Sequence, residues 1–224
     1  MQVQYARQLV SIDRARALLG RGERLEHAKS PVAAAIAHNT VQHNIDGAVS
    51  GPELDRPMMM VNVITSIERV YRALGSFDVL SIGPRNEIEI FGLIGAGFSK
   101  DRIKALDLFT YSPLVEAGDM HAMPYADNSF DIIIVGWVLP YSRDHKLAAA
   151  EILRVARNRA IVAIAADFSD ASITDPKFKG ETTHTQSCAQ ILSLFGDHVG
   201  PVYFRHDPQP PATFMSMPVF EIRK

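Results

Sequence analysis

Several absences narrow what this chain can be. One cysteine, Cys188, rules out any intrachain disulfide and with it the small disulfide-stapled folds. No apolar run approaches the roughly 20 residues of a membrane-spanning helix. The opening Met1-Gln2-Val3-Gln4-Tyr5-Ala6-Arg7 lacks the basic-then-apolar plan of a secretory signal, so a cytoplasmic location is expected. Charge of one sign is missing too. The 23 Lys and Arg against 25 Asp and Glu give a net charge of -2, which leaves no electrostatic case for nucleic acid or an anionic membrane. The eight histidines form no H-x-x-x-H and no carboxylate cluster at ligand spacing, so no metal site is expected. G-x-S-x-G is absent, against a serine hydrolase, and so is G-x-G-x-x-G, against the usual nicotinamide turn.

The 224 residues suffice for one sizeable core, and 47% hydrophobic with 21% charged residues is ordinary for a globular protein. Residues 1–76 read as a helical cap, and 77–224 as an α/β domain. Helices are expected from Arg7 to Leu19 and from the Ser30-Pro31 start. A third, opened by Pro57 and closed by Gly75, carries Met60, Val63, Ile64, Ile67, Val70, Tyr71 and Leu74 at helical spacing. His38, Asn39 and His43 are candidates to face a substrate pocket under this cap. From Phe77 strands and helices alternate. Strands are expected at Phe77–Ile82, Ile103–Asp107, Val115–Gly118, Phe130–Val135 and Ala160–Ala165. The intervening helices follow Glu87, with Ile88, Phe91 and Ile94 on one face, and span Asp144–Asn158, with Ala149, Ile152, Leu153 and Ala156 inward. Near-continuous apolar strands signal a parallel sheet covered on both faces. A helix at Ser187–Phe195 and strands at Val202–Arg205 and Phe214–Ile222, joined through Pro208, Pro210 and Pro211, predict a closing antiparallel hairpin. The fold class is thus α/β, Rossmann-like, with a mostly parallel seven-stranded sheet.

Functional residues gather at the carboxyl ends of successive strands, where open α/β sheets bind ligands. Gly83 ends the first strand and Asp107 the second. Gly118-Asp119-Met120 follows the third, and Gly136-Trp137 ends the fourth. An acid at Asp107 can accept hydrogen bonds from both hydroxyls of a ribose. A carboxylate at Asp119 can accept from an exocyclic adenine amine, with Met120 against the purine face. Together these make a nucleoside site.

The segment Gly118-Asp119-Met120-His121-Ala122-Met123-Pro124-Tyr125-Ala126-Asp127-Asn128-Ser129-Phe130-Asp131 resembles the G-D-A-x-x-L-P-F-x-D-x-S-F-D signature of class I S-adenosylmethionine-dependent methyltransferases. Glu151-Ile152-Leu153-Arg154-Val155 resembles their E-x-x-R-V helix. The resemblance covers about residues 77 to 167, and the closing hairpin agrees with it. It implies S-adenosylmethionine as cofactor. Gly83 would lie against its methionine portion, Asp107 on the ribose, Leu108 and Met120 against the adenine, Asp119 at the adenine edge, and Gly136 and Trp137 beside the departing methyl. The sequence departs from the family at the first turn. Ser81 stands where an acid is usual, and Pro84-Arg85-Asn86-Glu87 follows Gly83, so one of three usual glycines is present. Arg85 could pair with the cofactor's carboxylate, or Glu87 could accept from its ammonium; alternatively the two form a local salt bridge worth about 0–1 kcal/mol if exposed. Eleven residues separate Asp107 from Asp119, so the usual intervening helix is replaced by a turn at Thr110-Tyr111-Ser112-Pro113.

A base is needed only if the acceptor must lose a proton. Tyr141, His145, Asp167 and His184 lie in loops placed to supply one; His121 is placed to orient its loop. The leading expectation is methyl transfer to a small-molecule or glycan-precursor acceptor, and a homodimer is allowed. The alternatives are a catalytically inactive methyltransferase-like binding or assembly protein, and another nucleotide-dependent enzyme on the same fold, which binding of NAD would select.

Overall fold

In the computed structural model the residues described are 26–27, 55–84, 87–110, 112–167, 187–209 and 215–224. The helices expected at Arg7–Leu19 and from Ser30 lie outside them. In chain order the elements are β1 (Glu26–His27), α1 (Asp55–Thr65), α2 (Glu68–Tyr71), β2 (Val79–Ile82), α3 (Ile88–Ala96), β3 (Ile103–Asp107), β4 (Phe109–Thr110), β5 (Glu116–Ala117), β6 (Phe130–Gly136), α4 (His145–Val155), β7 (Ala156–Asp167), α5 (Cys188–Ser193), β8 (Val199–His206) and β9 (Met215–Ile222). Among the described residues no helix is long and apolar enough to cross a membrane.

The main sheet has seven strands in the order β5-β3-β2-β6-β7-β9-β8, and β1 pairs with β4 alone. Strands β5, β3, β2, β6 and β7 are parallel, whereas β9 runs antiparallel to both β7 and β8. The chain moves outward from β2 through β3 to β5, then returns to lay β6 on the other side of β2. The carboxyl ends of β2 and β6 therefore flank the point where the strand order reverses, which is where such sheets leave a crevice.

Alternation along the strands sends side chains to two cores. Leu80, Ile82, Ile133, Val135, Val162, Ile164 and Phe220 pack on one face with Ile152 of α4 and Ile191 of α5. Val79, Ile132, Ile134, Ile161 and Ala163 pack on the other with Met60, Val61 and Ile64 of α1 and Leu93 of α3. Full burial of each such aliphatic side chain contributes about 1.5–3 kcal/mol. The helix at 55–65 thus shares the sheet's core.

Three local expectations are corrected. The third helix does not run unbroken to Gly75. Thr65 Oγ1 donates to Val61 O at 2.9 Å and Ser66 Oγ to Asn62 O at 2.7 Å, and Ile67 then turns extended before α2 begins. Hydroxyls that bond back to the preceding turn compete with helix continuation. Helix α4 stops at Val155 rather than Asn158, because Ala156 already pairs with Phe130 and opens β7. Its buried residues are Ala148, Ala149, Ile152 and Val155. In α3 the buried set is Ile88, Glu89, Ile90, Gly92 and Leu93, so the inward face holds an acid, and Phe91 and Ile94 lie at its margin.

Candidate functional site

Gly83 leaves β2 with φ +74°, and its N–H donates to Leu106 O at 2.8 Å. A Cβ there would stand 1.9 Å from Val138 Cγ1. Backbone sign and lack of space both require glycine, and Val138 is what crosses its Cα. Of the residues that follow, Arg85 lies outside the described set. Glu87 is buried and accepts the hydroxyl of Ser112, which ties the start of α3 to the turn after β4.

Where an acid is usual, Ser81 is fully buried and donates its hydroxyl to Glu89 Oε1. A carboxyl therefore does stand at this end of β2, but it comes from the first turn of α3. The other oxygen, Oε2, would lie 3.0 Å from a Cβ on Gly136, with Met60 Cε at 3.3 Å from the same point. Burial, offset in part by the Ser81 bond, pushes the Glu89 carboxyl up to about 7. Sequence reading missed this residue, because an acid inside a helix is expected to face water.

The next two strand ends carry Asp107 and Asp119. Asp107 closes β3, and its carbonyl accepts Gly118 N–H at 2.8 Å. Leu108 and Met120 are half-buried, and Met120 packs against the core beside Met123. Asp119 Oδ1 accepts the backbone N–H of His121 at 2.9 Å and lies 2.6 Å from its ring Nδ1. His121 Nε2 is 2.7 Å from Ser142 Oγ. The array Asp119–His121–Ser142 has the connectivity of a hydrolytic triad, but Ser142 is 0% exposed, so no substrate can reach its hydroxyl. The array instead fastens the loop after β5 to the loop after β6. Asp119 Oδ2 faces the guanidinium of Arg143 at 4.0 Å.

The E-x-x-R-V helix has a matching task. Glu151 Oε2 accepts Met123 N–H at 2.8 Å, and Arg154 donates to Met123 O, Tyr125 O and Asp127 Oδ1 at 3.0, 2.7 and 2.9 Å. Arg154 also donates to Glu151 and holds that carboxyl below its usual range. Helix α4 thereby fixes the loop that carries Asp119 and Met120, which is why both motif segments occur in one chain.

Across the crevice, β6 ends at Gly136. Trp137 follows with φ +57°, a left-handed conformation that bulky residues avoid and that a surrounding structure must enforce. Here Trp137 N–H donates to Ala165 O at 2.8 Å and its indole Nε1–H to Asp167 Oδ1 at 3.0 Å. Arg56 of α1 donates to Asp167 Oδ2 at 3.1 Å, and its guanidinium lies 5.1 Å from the Trp137 ring centroid. Arg56 had no signal in the sequence; it reaches this place because α1 packs across the sheet face. Tyr141 sits in a 3-10 turn at Leu139–Tyr141. His145 opens α4, and burial lowers its pKa, opposed by its bond to the Leu139 carbonyl. His184, like His38, Asn39 and His43, lies outside the described residues. Among those described no cluster could hold a metal ion.

The donor set fits an adenosine. Carboxylates stand at the carboxyl ends of two adjacent strands, and Leu108 and Met120 offer half-buried apolar surface. Residues 94–164 match the model of a methyltransferase domain. The Burkholderia thailandensis 1,6-didemethyltoxoflavin-N1-methyltransferase, solved with 1,6-didemethyltoxoflavin and S-adenosylhomocysteine, superposes with TM-score 0.59 at 16% identity, covering 89% of this chain and 94% of its own. The N-methyltransferase NodS of Bradyrhizobium japonicum WM9, in complex with S-adenosylhomocysteine, gives 0.60 at 13% identity, covering 87% and 100%. The cyclase SpnF gives 0.57 at 15% identity, covering 89% and 98%. No curated protein matches in sequence. The matched segment and the strand order give the chain the fold seen in S-adenosylmethionine-dependent methyltransferases.

Proposed function

We propose that this protein transfers the methyl group of S-adenosylmethionine to a small-molecule acceptor, glycan precursors included, by in-line displacement. The observation that carries the proposal is the placement of Asp107 and Asp119 at the carboxyl ends of the adjacent strands β3 and β5, on the same edge of the sheet as the point of strand-order reversal. The bound 1,6-didemethyltoxoflavin of the Burkholderia neighbour supports an acceptor of small size.

When bound, S-adenosylmethionine supplies a methyl group on an electron-poor sulfonium. Asp107 holds the ribose hydroxyls, Leu108 and Met120 take the adenine faces, and Asp119 accepts at the adenine edge while His121 keeps its carboxylate oriented. Gly83 lets the backbone pass close to the methionine portion, with Arg85 and Glu87 at its polar end, and Gly136 and Trp137 border the reacting centre. The chain's main contribution is positioning, which can lower a barrier by about 7–11 kcal/mol at best. If the acceptor must lose a proton, His145, Tyr141 and His184 are the candidates to receive it. Burial favours the neutral imidazole of His145, the form a base needs.

Calorimetric titration of the purified chain with S-adenosylmethionine and S-adenosylhomocysteine, with NAD as control, tests the proposal. Micromolar binding of either, lost at least tenfold in Asp107→Ala with the fold intact, is expected. Unchanged affinity in that variant would remove the ribose assignment. A second reading, a catalytically silent assembly protein, is favoured by one observation, the Val138 side chain against Gly83. Absence of binding to a folded chain would select it.

A further inference from the structure

We propose that Arg56 receives an oxyanion carried by the methyl acceptor, a carboxylate or a phosphate, while Asp167 and Trp137 hold its guanidinium in place; the proposal rests on the methyltransferase reading above. Three observations carry it. The first is position. In the strand order β2-β6-β7, Trp137 follows β6 and Asp167 ends β7. Arg56 therefore stands at the carboxyl edge of the sheet on the far side of β6 from the turn at Gly83, where the methyltransferase reading puts the cofactor's methionine portion. The second is the state of the polar groups. Both oxygens of Asp167 are committed: Oδ1 accepts the Trp137 indole N–H at 3.0 Å, and Oδ2 accepts Arg56 Nη2 at 3.1 Å. Asp167 is thus a positioning residue rather than a base. Arg56 is committed only in part. Among the described residues its hydrogen-bond partner is Asp167, reached through Nη2, so the N–H groups of Nε and Nη1 keep their capacity. The side chain is 45% exposed, which opens those donors to a ligand.

The third observation is pre-organisation. The guanidinium lies 5.1 Å from the Trp137 ring centroid, and the indole is itself fixed by a left-handed backbone and by the N–H bond to Ala165 O. A guanidinium is a planar fork whose spacing matches the oxygens of carboxylate and phosphate. Held at one nitrogen and across one face, it loses little freedom when a ligand takes the remaining edge. S-adenosylmethionine brings a positive charge, which favours an anionic acceptor over a cationic one. Met215, which pairs with Asp167, and Met58 and Met59 of α1 are half-buried on the same core as Trp137. They offer adaptable apolar surface, so the fitting ligand joins its oxyanion to an apolar or aromatic body.

The chain has one tryptophan, so Trp137 emission reports on this place alone. Calorimetry first measures the affinity of the full chain for S-adenosylhomocysteine. The saturated protein is then titrated with benzoate, phenyl phosphate, benzamide and benzylamine, which share one ring and differ in charge, and tryptophan emission is followed. One of the two oxyanions is expected to bind at least about tenfold more tightly than benzamide, with benzylamine weaker still; the tighter of the two identifies the group. Arg56→Ala should bring that oxyanion down to the benzamide level and leave S-adenosylhomocysteine affinity unchanged. Arg56→Lys, which keeps the charge without the fork, should restore part of the preference. Circular dichroism checks each variant's fold. Equal binding of oxyanions and benzamide, tighter binding of benzylamine, no response to any probe, or a preference that survives Arg56→Ala would overturn the assignment. So would loss of S-adenosylhomocysteine in Arg56→Ala, since Arg56 would then serve the cofactor. In each of these cases a wild type that binds S-adenosylhomocysteine keeps the methyltransferase reading. A folded wild type that does not bind it removes both.

Discussion

Replacing Glu89 with Gln is expected to make the protein more stable at alkaline pH. The amide fills the same volume and can still accept the Ser81 hydroxyl, so packing is kept. The charge is what changes. In the folded chain the carboxyl titrates near 7 against an ordinary value of 4.5. A raised folded pKa means that stability is fully present below about 4.5 and is lost as pH climbs through 7. A difference of about 2.5 units at about 1.4 kcal/mol each gives roughly 3 kcal/mol lost by pH 8. Glutamine does not titrate and escapes that loss. Urea unfolding followed by circular dichroism at pH 5, 6, 7 and 8 should therefore give two curves that nearly meet at pH 5 and separate toward pH 8, the variant above. Two parallel curves would refute the reasoning, since they would mean that Glu89 is solvated or already paired with a cation.

Other substitutions probe the remaining links. Gly83→Ala adds a left-handed backbone cost of about 1–2 kcal/mol to an overlap with Val138 of about 1–3 kcal/mol. Pairing it with Val138→Ala should recover the second part in a double-mutant cycle, whereas additive losses would show that the two residues do not meet. Ser142→Ala leaves His121 without one partner and should cost about 1–3 kcal/mol. It should also raise amide exchange in the loop that carries Asp119, and unchanged exchange there would argue against the fastening role of the array.

The sheet was legible in the sequence because its strands are short apolar runs ended by Gly or Asp at regular intervals. Ile103–Asp107 and the ends of β6 and β9 follow directly from that pattern. The break after α1 was not legible, since the apolar stripe continues through Ser66 and Ile67, and the interruption comes from hydroxyl bonds that periodicity does not register. The early start of β7 was hidden for a similar reason. Arg157 and Asn158 are polar, and strand pairing at Ala156, with Arg157 bound to Asp78 and Asp131, draws them into the sheet. At the site, residues at strand ends were readable because each strand delivers one turn to a known edge. Glu89, Ser142 and Arg56 were not, because each acts through a contact between segments far apart in sequence, or from a helix face that polarity alone would turn outward. Even the link from Ser81 to Glu89 needs the return of α3 over β2.

Co-crystallisation with S-adenosylhomocysteine tests the central claim most directly. Adenine between Leu108 and Met120 and ribose hydroxyls on Asp107 are expected. A ligand bound away from the carboxyl ends of β2, β3 and β6, or ribose hydroxyls on another acid, would contradict it.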